Sequence, residues 1–272
     1  MAHECFEVSV EGQVAHLRLS RPERRNAMTL GFWRELPQAV HELDARGGVR
    51  ALVISSSGPH FSAGMDLAVF EGGDPLGTAT VAARARFRAK LEELQQSFHA
   101  LAEARFPVIA AVQGGCIGGG VDLVTACCLR YATHDAFFVI QEINLGMLAD
   151  VGTFNRLPKQ LPEGVVRELG YTGERLGAER AERLGFVNAL FESHDTLVAG
   201  ALAIARRIAS RAPVAVAATK RMISYTRDHS VAESFEYLNA LQPGIFSIED
   251  IQRSIAAAGG GAPAAYADLP PR

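Results

Sequence analysis

Apolar and polar residues alternate at the beginning of the chain, first over residues 6–10 and again over residues 14–19. A period of two is typical of a β-strand with one buried face, and the intervening Glu11-Gly12-Gln13 has the composition of a turn. The pattern therefore predicts that a two-stranded hairpin opens the fold.

Short apolar runs then alternate with segments of helical periodicity. Thr29 can cap a helix whose apolar residues recur every three or four positions. Further strands are expected at residues 51–55, 107–112, 130–133, 136–140 and 186–190, and further helices near residues 80–104 and from residue 119. This alternation of strand and helix predicts an α/β fold.

From Asp150 onward the pattern is almost entirely helical. Apolar stripes near residues 195–211, 213–228 and 231–241 predict three helices, and the glycines of residues 259–261 predict a mobile connector. We expect the following organisation: an α/β core at 1–195 that holds the ligand site, a helical region at 196–258 and a flexible tail at 259–272.

Composition narrows the function classes. The 272 residues are 48% hydrophobic and carry a net charge of −3, with Lys and Arg scattered rather than clustered. This excludes extensive disorder and a nucleic-acid or anionic membrane surface as the main partner. The longest uncharged run is too short to cross a bilayer, and the four cysteines lack paired metal-ligand spacing. We therefore expect a cytoplasmic protein without a metal ion or membrane insertion.

The segment 107–122 carries the first chemical signal. An apolar strand leads into Gly118, Gly119 and Gly120, and Asp122 follows at what reads as the start of a helix. Glycines allow a ligand to approach the backbone, and the first amides of a helix have no intrahelical partner. Leu123 stands where a dinucleotide-binding turn needs its third glycine, so that reading is disfavoured. A strand-to-helix turn without a ligand remains the structural alternative.

A second glycine turn, residues 61–67, also follows an apolar strand. Two backbone sites of this kind can converge on one oxygen. Fixed N–H donors stabilise an enolate or tetrahedral oxyanion, and each is worth roughly 2.7–4 kcal/mol in comparable sites. The pair of turns therefore favours chemistry in which an oxygen gains negative charge.

The chain resembles the enoyl-CoA hydratase/isomerase (crotonase) superfamily from about residue 6 to residue 250. The order and spacing of several motifs carry the resemblance. These motifs are Arg21–Met28, Phe61–Leu67, Ile109–Asp122, Arg156–Pro158 and Ala217–Lys220.

The resemblance implies a spiral of ββα units and a helical C-terminal region that forms a homotrimer or hexamer. It also implies an acyl-CoA thioester as substrate, with no separate cofactor, and with the thioester oxygen between the amides of Met65 and Gly119. Further contacts to the substrate or its coenzyme A are implied for Ser62, Ala63, Gly64, Asp66, Gly118 and Gly120. Lys220 is expected at the surface or on a coenzyme A phosphate, and residues 68–80 are expected to border the acyl pocket.

Three carboxylates stand at positions that decide the chemistry in this superfamily. Members that hydrate enoyl thioesters usually have two glutamates followed by a glycine, whereas this chain has Asp122, Glu142 and Asp150. This set looks like that of the Δ3,5-Δ2,4-dienoyl-CoA isomerases, although Cys128 and Asn144 stand where that branch usually has aspartates.

The implied reaction moves two conjugated double bonds by proton transfer. Glu142 is expected to remove a proton at carbon 2, Asp150 to donate one at carbon 6, and Asp122 to tune both. Each carboxylate also has a structural reading, namely a helix charge for Asp122, a solvated strand end for Glu142 and a helix cap for Asp150. An enoyl-CoA hydratase and a non-catalytic acyl-CoA-binding oligomer are the alternative functions.

Overall fold

The computed structural model describes residues 3–70 and 80–272, which form a mixed α/β fold. Its strands are β1 (Phe6–Glu11), β2 (Val14–Leu19), β3 (Ala51–Ser56), β4 (Val108–Val112), β5 (Gly115–Ile117), β6 (Leu129–Thr133), β7 (Phe137–Val139), β8 (Leu176–Gly177) and β9 (Ala189–Phe191). Its α-helices are α1 (Leu30–Ala45), α2 (Val81–Glu103), α3 (Gly119–Ala126), α4 (Thr153–Arg156), α5 (Glu163–Thr172), α6 (Ala178–Arg183), α7 (His194–Ala209), α8 (Pro213–Asp228), α9 (Val231–Ile245) and α10 (Ile248–Ala258).

The main sheet has six strands in the order β1-β2-β3-β4-β6-β9. β1 and β2 form the predicted antiparallel hairpin, and every other neighbouring pair in this sheet is parallel. Parallel strands need a crossover connection, and the helices between them supply it. The α/β class and the helical C-terminal region predicted from the sequence are confirmed.

Both faces of the main sheet are covered. Along β3, Leu52 and Ile54 face the larger core that contains α1 and α2, whereas Val53 faces a second core built on α7. A strand buried on both faces is apolar throughout instead of alternating, which is why β3 reads as a continuous apolar run. The carboxyl ends of β3 and β4 are thereby fixed in a rigid layer.

A smaller sheet has the order β5-β7-β8 and stands next to the ligand site. β5 was not predicted, because three residues beginning with Gly115 carry little strand propensity of their own. Its strand geometry comes from parallel pairing with β7. β9 begins at Ala189 rather than near residue 186, since Phe186 and Val187 are buried in the core before the strand starts.

Lys220 on α8 joins the helical region to the core. Its Nζ donates hydrogen bonds of 2.7–2.9 Å to the carbonyls of Leu101, Ala104 and Phe106, just where α2 ends. The last carbonyls of a helix lack intrahelical partners, so this ammonium group serves as a cap supplied from another element. The prediction of a surface or coenzyme A contact for Lys220 does not match this position.

Part of the predicted tail lies against the core. Arg50 is buried and donates to the carbonyl of Tyr266 at 2.6 Å and to the Asp268 carboxylate at 2.8 Å. Arg105 donates to the carbonyl of Pro270 at 2.8 Å. The residues after the glycine-rich connector therefore cover the N-terminal ends of the central strands β3 and β4.

The helical region exposes large apolar side chains. Residues of this kind on α8–α10 and the adjoining turns are Ile223, Val231, Phe235, Phe246, Ile248, Ile251 and Ile255. Exposed apolar side chains that are concentrated in one region commonly mark an interaction surface, whereas single scattered ones do not. Within the described residues, no helix combines the length and the hydrophobicity that crossing a membrane requires.

Replacing Lys220 by Met tests the capping role. The substitution keeps the apolar stem but leaves three carbonyls without their donor, so we expect the free energy of unfolding to fall by about 2–3 kcal/mol. Urea denaturation with an unchanged m value would measure this loss. Lys90→Met is the matched control, because Lys90 pairs only with Glu93 at the surface and its loss should change stability by less than about 0.5 kcal/mol. Equal effects for the two variants would contradict the role.

Candidate active site

The two glycine turns are hydrogen-bonded to each other. The amide of Ser62 donates to the carbonyl of Gly115 at 3.1 Å, and the amide of Ile117 donates to the carbonyl of Ser62 at 3.0 Å. Ser62 thus pairs with Cys116 as in a parallel sheet. This pairing brings residues 61–67 alongside the start of α3.

A second pairing fixes the other side of the first turn. The amide of Met28 donates to the carbonyl of Gly64 at 2.8 Å, and the amide of Asp66 donates to the carbonyl of Met28 at 2.9 Å. These bonds use the groups on both sides of Met65 and leave its own N–H free. Gly119 is the first residue of α3, so its N–H has no intrahelical acceptor either. In the described chain, neither amide donates a hydrogen bond.

The free amides lie close together because glycine occupies the positions between them. A Cβ added to Gly64 would lie 2.9 Å from the amide nitrogen of Gly119, and Gly64 also has a φ of +80°. A Cβ added to Gly119 would lie 3.6 Å from the amide nitrogen of Met65. The two donors therefore face a common space, as the stabilisation of an oxyanion requires.

This space opens into a cavity of about 280 Å³. One wall comes from Phe87, Leu91 and Leu94, which share a face of α2, and the opposite wall includes Leu145 and Met147. Ala63, Met65, Gly118, Gly119, Glu142 and Asp150 also line the cavity. A mostly apolar cleft with a few polar groups at one end suits a thioester with a hydrocarbon chain. Of the predicted acyl-pocket segment 68–80, residues 71–79 lie outside the described residues.

Glu142 lies in the 3₁₀ turn Gln141–Leu145, directly after β7. Its Oε1 is 3.2 Å from the point that a Cβ on Gly118 would occupy, so the glycine makes room for the carboxylate. Burial, reinforced by the negative charges of Asp122 and Asp150, raises the pKa of Glu142 to about 7. A carboxylate with this pKa is basic enough to accept a proton from carbon.

Asp150 lines the same cavity from the segment before α4. Its backbone carbonyl accepts a hydrogen bond of 2.8 Å from the side-chain amide Nε2 of Gln95, which ties this segment to α2. Burial raises the pKa of the Asp150 carboxyl above its ordinary value. The N-cap of α4 is Gly152, and the side chain that accepts from the first amide of this helix is Asp122, so the reading of Asp150 as its cap is wrong.

Asp122 is fully buried and does not line the cavity. Its Oδ1 accepts a hydrogen bond of 2.6 Å from the amide of Thr153, whereas its Oδ2 has no partner in the described chain. Burial raises the pKa of Asp122 to about 6, against the lowering effect of the Thr153 hydrogen bonds. Asp122 therefore connects α3 to the start of α4 from behind the cavity and acts on Glu142 through its charge.

Three further predicted residues shape the backbone of the two turns. The hydroxyl of Ser62 accepts a hydrogen bond from the amide of Gly64 at 3.1 Å and donates one to the carbonyl of Asn26 at 2.9 Å. A Cβ on Gly120 would lie 3.3 Å from the Cys116 sulfur, so Gly120 allows close packing of α3 on β5. These three residues support the free amides and are not among the residues that line the cavity.

Two predicted contacts remain, Ala63 and Asp66. Ala63 lines the cavity, whereas Asp66 is buried outside its lining, and its carboxylate lies 3.6 Å from guanidinium nitrogens of both Arg21 and Arg24. Arg24 is exposed, so positive charge reaches the surface beside Asp66. Within residues 3–70 and 80–272, no group of three or more His, Cys, Asp or Glu side chains is placed to hold a metal ion.

Two groups of site residues were missed from the sequence. The apolar wall on α2 has a visible signal, since Phe87, Leu91 and Leu94 are spaced four and three residues apart. Nothing in the sequence marks Thr153 as the partner of Asp122, because a backbone amide 31 residues away provides that bond.

The chain is similar in sequence to known proteins. The chain is 40% identical over 94% of its length to a mitochondrial Δ(3,5)-Δ(2,4)-dienoyl-CoA isomerase of Homo sapiens, of which it covers 79%. It is 34% identical over 93% of its length to a peroxisomal Δ(3,5)-Δ(2,4)-dienoyl-CoA isomerase of Arabidopsis thaliana, of which it covers 92%.

Solved structures show the same architecture. An enoyl-CoA hydratase from Polaromonas sp. JS666 superposes with a TM-score of 0.85 at 28% identity, over 96% of this chain and 99% of that one. An enoyl-CoA hydratase from Bacillus anthracis superposes with a TM-score of 0.87 at 25% identity, over 97% and 99% of the two chains. The sequence profile of the enoyl-CoA hydratase/isomerase family matches residues 9–259. The chain belongs to the enoyl-CoA hydratase/isomerase family.

Proposed function

We propose that this protein is a Δ3,5-Δ2,4-dienoyl-CoA isomerase that acts in fatty acid degradation. The observation that carries the proposal is the presence of two carboxyl groups, Glu142 and Asp150, in one apolar cavity that also holds the free amides of Met65 and Gly119. The names of the relatives at 34–40% identity support the same activity.

In the proposed reaction each of these groups has one role. The thioester oxygen of a 3,5-dienoyl-CoA accepts hydrogen bonds from Met65 and Gly119, which makes the protons on carbon 2 more acidic. Glu142 removes one of them, and the electrons spread over the thioester oxygen and the two double bonds. Asp150 gives a proton to carbon 6, which leaves double bonds at carbons 2 and 4.

The two amides stabilise the charged intermediate most. Each fixed donor aimed at a developing oxyanion contributes roughly 2.7–4 kcal/mol, because it is already oriented when the charge appears. General acid–base catalysis by positioned carboxyls adds about 10²–10⁴-fold in rate. Asp122 contributes through its charge, which strengthens Glu142 as a base.

Each turnover changes the protonation of the pair. Glu142 ends with the proton from carbon 2, and Asp150 ends as a carboxylate. The next cycle therefore requires Glu142 to release its proton and Asp150 to gain one. Both residues are only partly buried, so exchange with water provides this step.

Hydration of a 2-enoyl-CoA is the second candidate. Adding water requires two carboxyl groups that flank one water molecule, whereas isomerisation requires proton donors and acceptors at separate carbons of the chain. The carboxylate set of Asp122, Glu142 and Asp150 favours isomerisation. A glutamate in the cavity with a pKa raised to about 7 favours a catalytic role over acyl-CoA binding without activity.

We further propose the contacts of the coenzyme A and of the assembly. Ala63 and Asp66 lie toward the adenine and pantetheine end, and the exposed apolar face of α8–α10 joins copies into trimers or hexamers. The cytoplasmic location stays a prediction, since the two relatives compared above are named as mitochondrial and peroxisomal proteins.

The reaction can be tested with purified protein. Given a 3,5-dienoyl-CoA, the protein should produce the ultraviolet absorbance of a 2,4-dienoyl-CoA, and in D₂O the product should carry deuterium at carbon 6, because the Asp150 proton exchanges with solvent. We expect Glu142→Gln and Asp150→Asn each to lower kcat by about 10²–10⁴-fold. Glu174→Gln, an exposed glutamate outside the cavity, serves as the control.

The alternatives give different results in the same assay. Loss of the absorbance of a 2-enoyl-CoA, without isomerisation of the diene, would identify a hydratase. Saturable acyl-CoA binding without turnover of either thioester would identify a binding protein. Transfer of the carbon 2 hydrogen to carbon 6 without solvent exchange would exclude Asp150 as the separate donor.

The pH dependence follows from the protonation states that the mechanism needs. One carboxyl of the pair must be ionised and the other protonated, so kcat/KM should be bell-shaped. Activity falls at low pH, where both are neutral and no base is left. It falls again as the pH rises through about 7, the pKa of Glu142, because the pair then loses its last proton and none remains for Asp150 to hold. Rates measured from about pH 4 to about pH 9 would show this, and a plateau above pH 7 would contradict the acid role of Asp150.

Two glycines test the placement of Glu142. Both have a positive φ, but Gly146 (φ +71°, ψ +24°) lies in the left-handed helical region, whereas Gly118 (φ +52°, ψ −118°) lies in a region that residues with a Cβ avoid. A Cβ on Gly146 meets nothing within 4 Å, whereas one on Gly118 meets the Glu142 carboxylate. Gly146→Ala should lose about 1 kcal/mol of stability from strain, and Gly118→Ala should lose more. Only Gly118→Ala should lower kcat, by more than about tenfold, because it displaces the base. Equal kcat values for the two variants would contradict the placement of Glu142.

A further inference from the structure

A second cavity, of about 540 Å³, lies at the other end of α3 from the oxyanion site. It is bounded by the end of α3, by α4 and by α8, and it shares no lining residue with the active-site cavity. Arginine and lysine side chains line it, and none of its lining residues is an aspartate or glutamate. The basic residues are Arg130, Arg156, Arg211, Lys220 and Arg227.

Some of these cations already have partners. Lys220 donates to three carbonyls at the end of α2, and Arg130 donates to the carbonyls of Val124, Cys127 and Phe186. These two residues hold the walls of the cavity together. Most of their donors are therefore already in use.

Two of the remaining cations have fewer partners. In the part of the chain that the structure describes, Arg156 and Arg211 form no ion pair, and the Arg156 guanidinium has only a 3.5 Å contact to the carbonyl of Val151. Arg227 pairs with Asp228. Burial lowers the pKa of the half-buried Arg156, the charge of Asp122 opposes this lowering, and the charge of Arg227 adds to it. Arg156 and Arg211 thus keep most of their N–H donors free for an anion that enters the cavity.

We propose that this cavity is a second ligand site, which binds a medium-chain fatty carboxylate. The carboxylate lies between Arg156 and Arg211, since a guanidinium can bind a carboxylate through two parallel hydrogen bonds. Apolar side chains also line the wall, and Ile208 and Val216 face the hydrocarbon chain of the proposed ligand. An inorganic anion would leave these side chains against water, which is why the ligand carries an apolar part.

Calorimetric titration of the purified protein with decanoate tests the site. We expect saturable binding of one decanoate per chain, with no binding of decanol or inorganic phosphate at the same concentrations. Arg211→Gln should weaken the binding about tenfold, the loss expected for one charge-assisted hydrogen bond. Ala215→Trp should abolish it, because Ala215 is an exposed position of α8 that lines the cavity and can carry a large side chain without entering the core.

Arg183→Gln is the matched control, since Arg183 is exposed on α6 and lies outside the cavity. Its binding constant should equal that of the unchanged protein. If decanoate bound equally well to Arg211→Gln and Ala215→Trp, the binding site would lie elsewhere, and the proposal would be overturned. Equal binding of phosphate would show that the site does not require a hydrocarbon chain, which would overturn the proposed ligand class. Absence of decanoate binding would also overturn the proposal. If light scattering then showed a smaller oligomer for Arg211→Gln, the cavity would be assigned to contacts between copies of the chain.

Discussion

The hydrogen bonds between the turn at residues 61–67 and the strand β5 are the constraint on which the site depends. Ser62 uses both its amide and its carbonyl in this pairing, and Met28 closes the other side of the turn. Because the backbone groups around them are paired, the amides of Met65 and Gly119 are held in place as free donors beside the cavity. A rigid backbone thus provides the preorganised charge that an oxyanion needs, without a side chain that must be oriented during the reaction.

The carboxyl groups behind and beside these donors disfavour the folded state. Raising the pKa of Asp122 from 3.8 to about 6 corresponds to about 3 kcal/mol. The neutral form is favoured in the fold, so this contribution to stability is complete below the ordinary pKa and is lost as the pH rises through about 6. At neutral pH the fold therefore tolerates a buried charge, which raises the pKa of Glu142 in turn. Active sites commonly trade stability for function in this way.

The sequence pattern predicted those elements whose structure depends on residues close together in the chain. The hairpin, the alternation of strands and helices and the two glycine turns follow from residue periods and backbone freedom. Glu142 and Asp150 required the family resemblance, because a carboxylate in a loop has no periodic signal. β5, the cap formed by Lys220 and the bond between Asp122 and Thr153 depend on partners far away in the chain, so no window of sequence contains them.

The contacts of Arg50 make the last residues part of the folded core. Its guanidinium is buried, and its carboxylate partner Asp268 and carbonyl partner Tyr266 both come from the end of the chain. A protease that removed this end would leave a buried cation with only the carbonyl of Ala209. Removal of a few residues would thus have the effect of a mutation in the interior. Proteolytic sensitivity there would report on the N-terminal ends of the central strands rather than on a loose terminus.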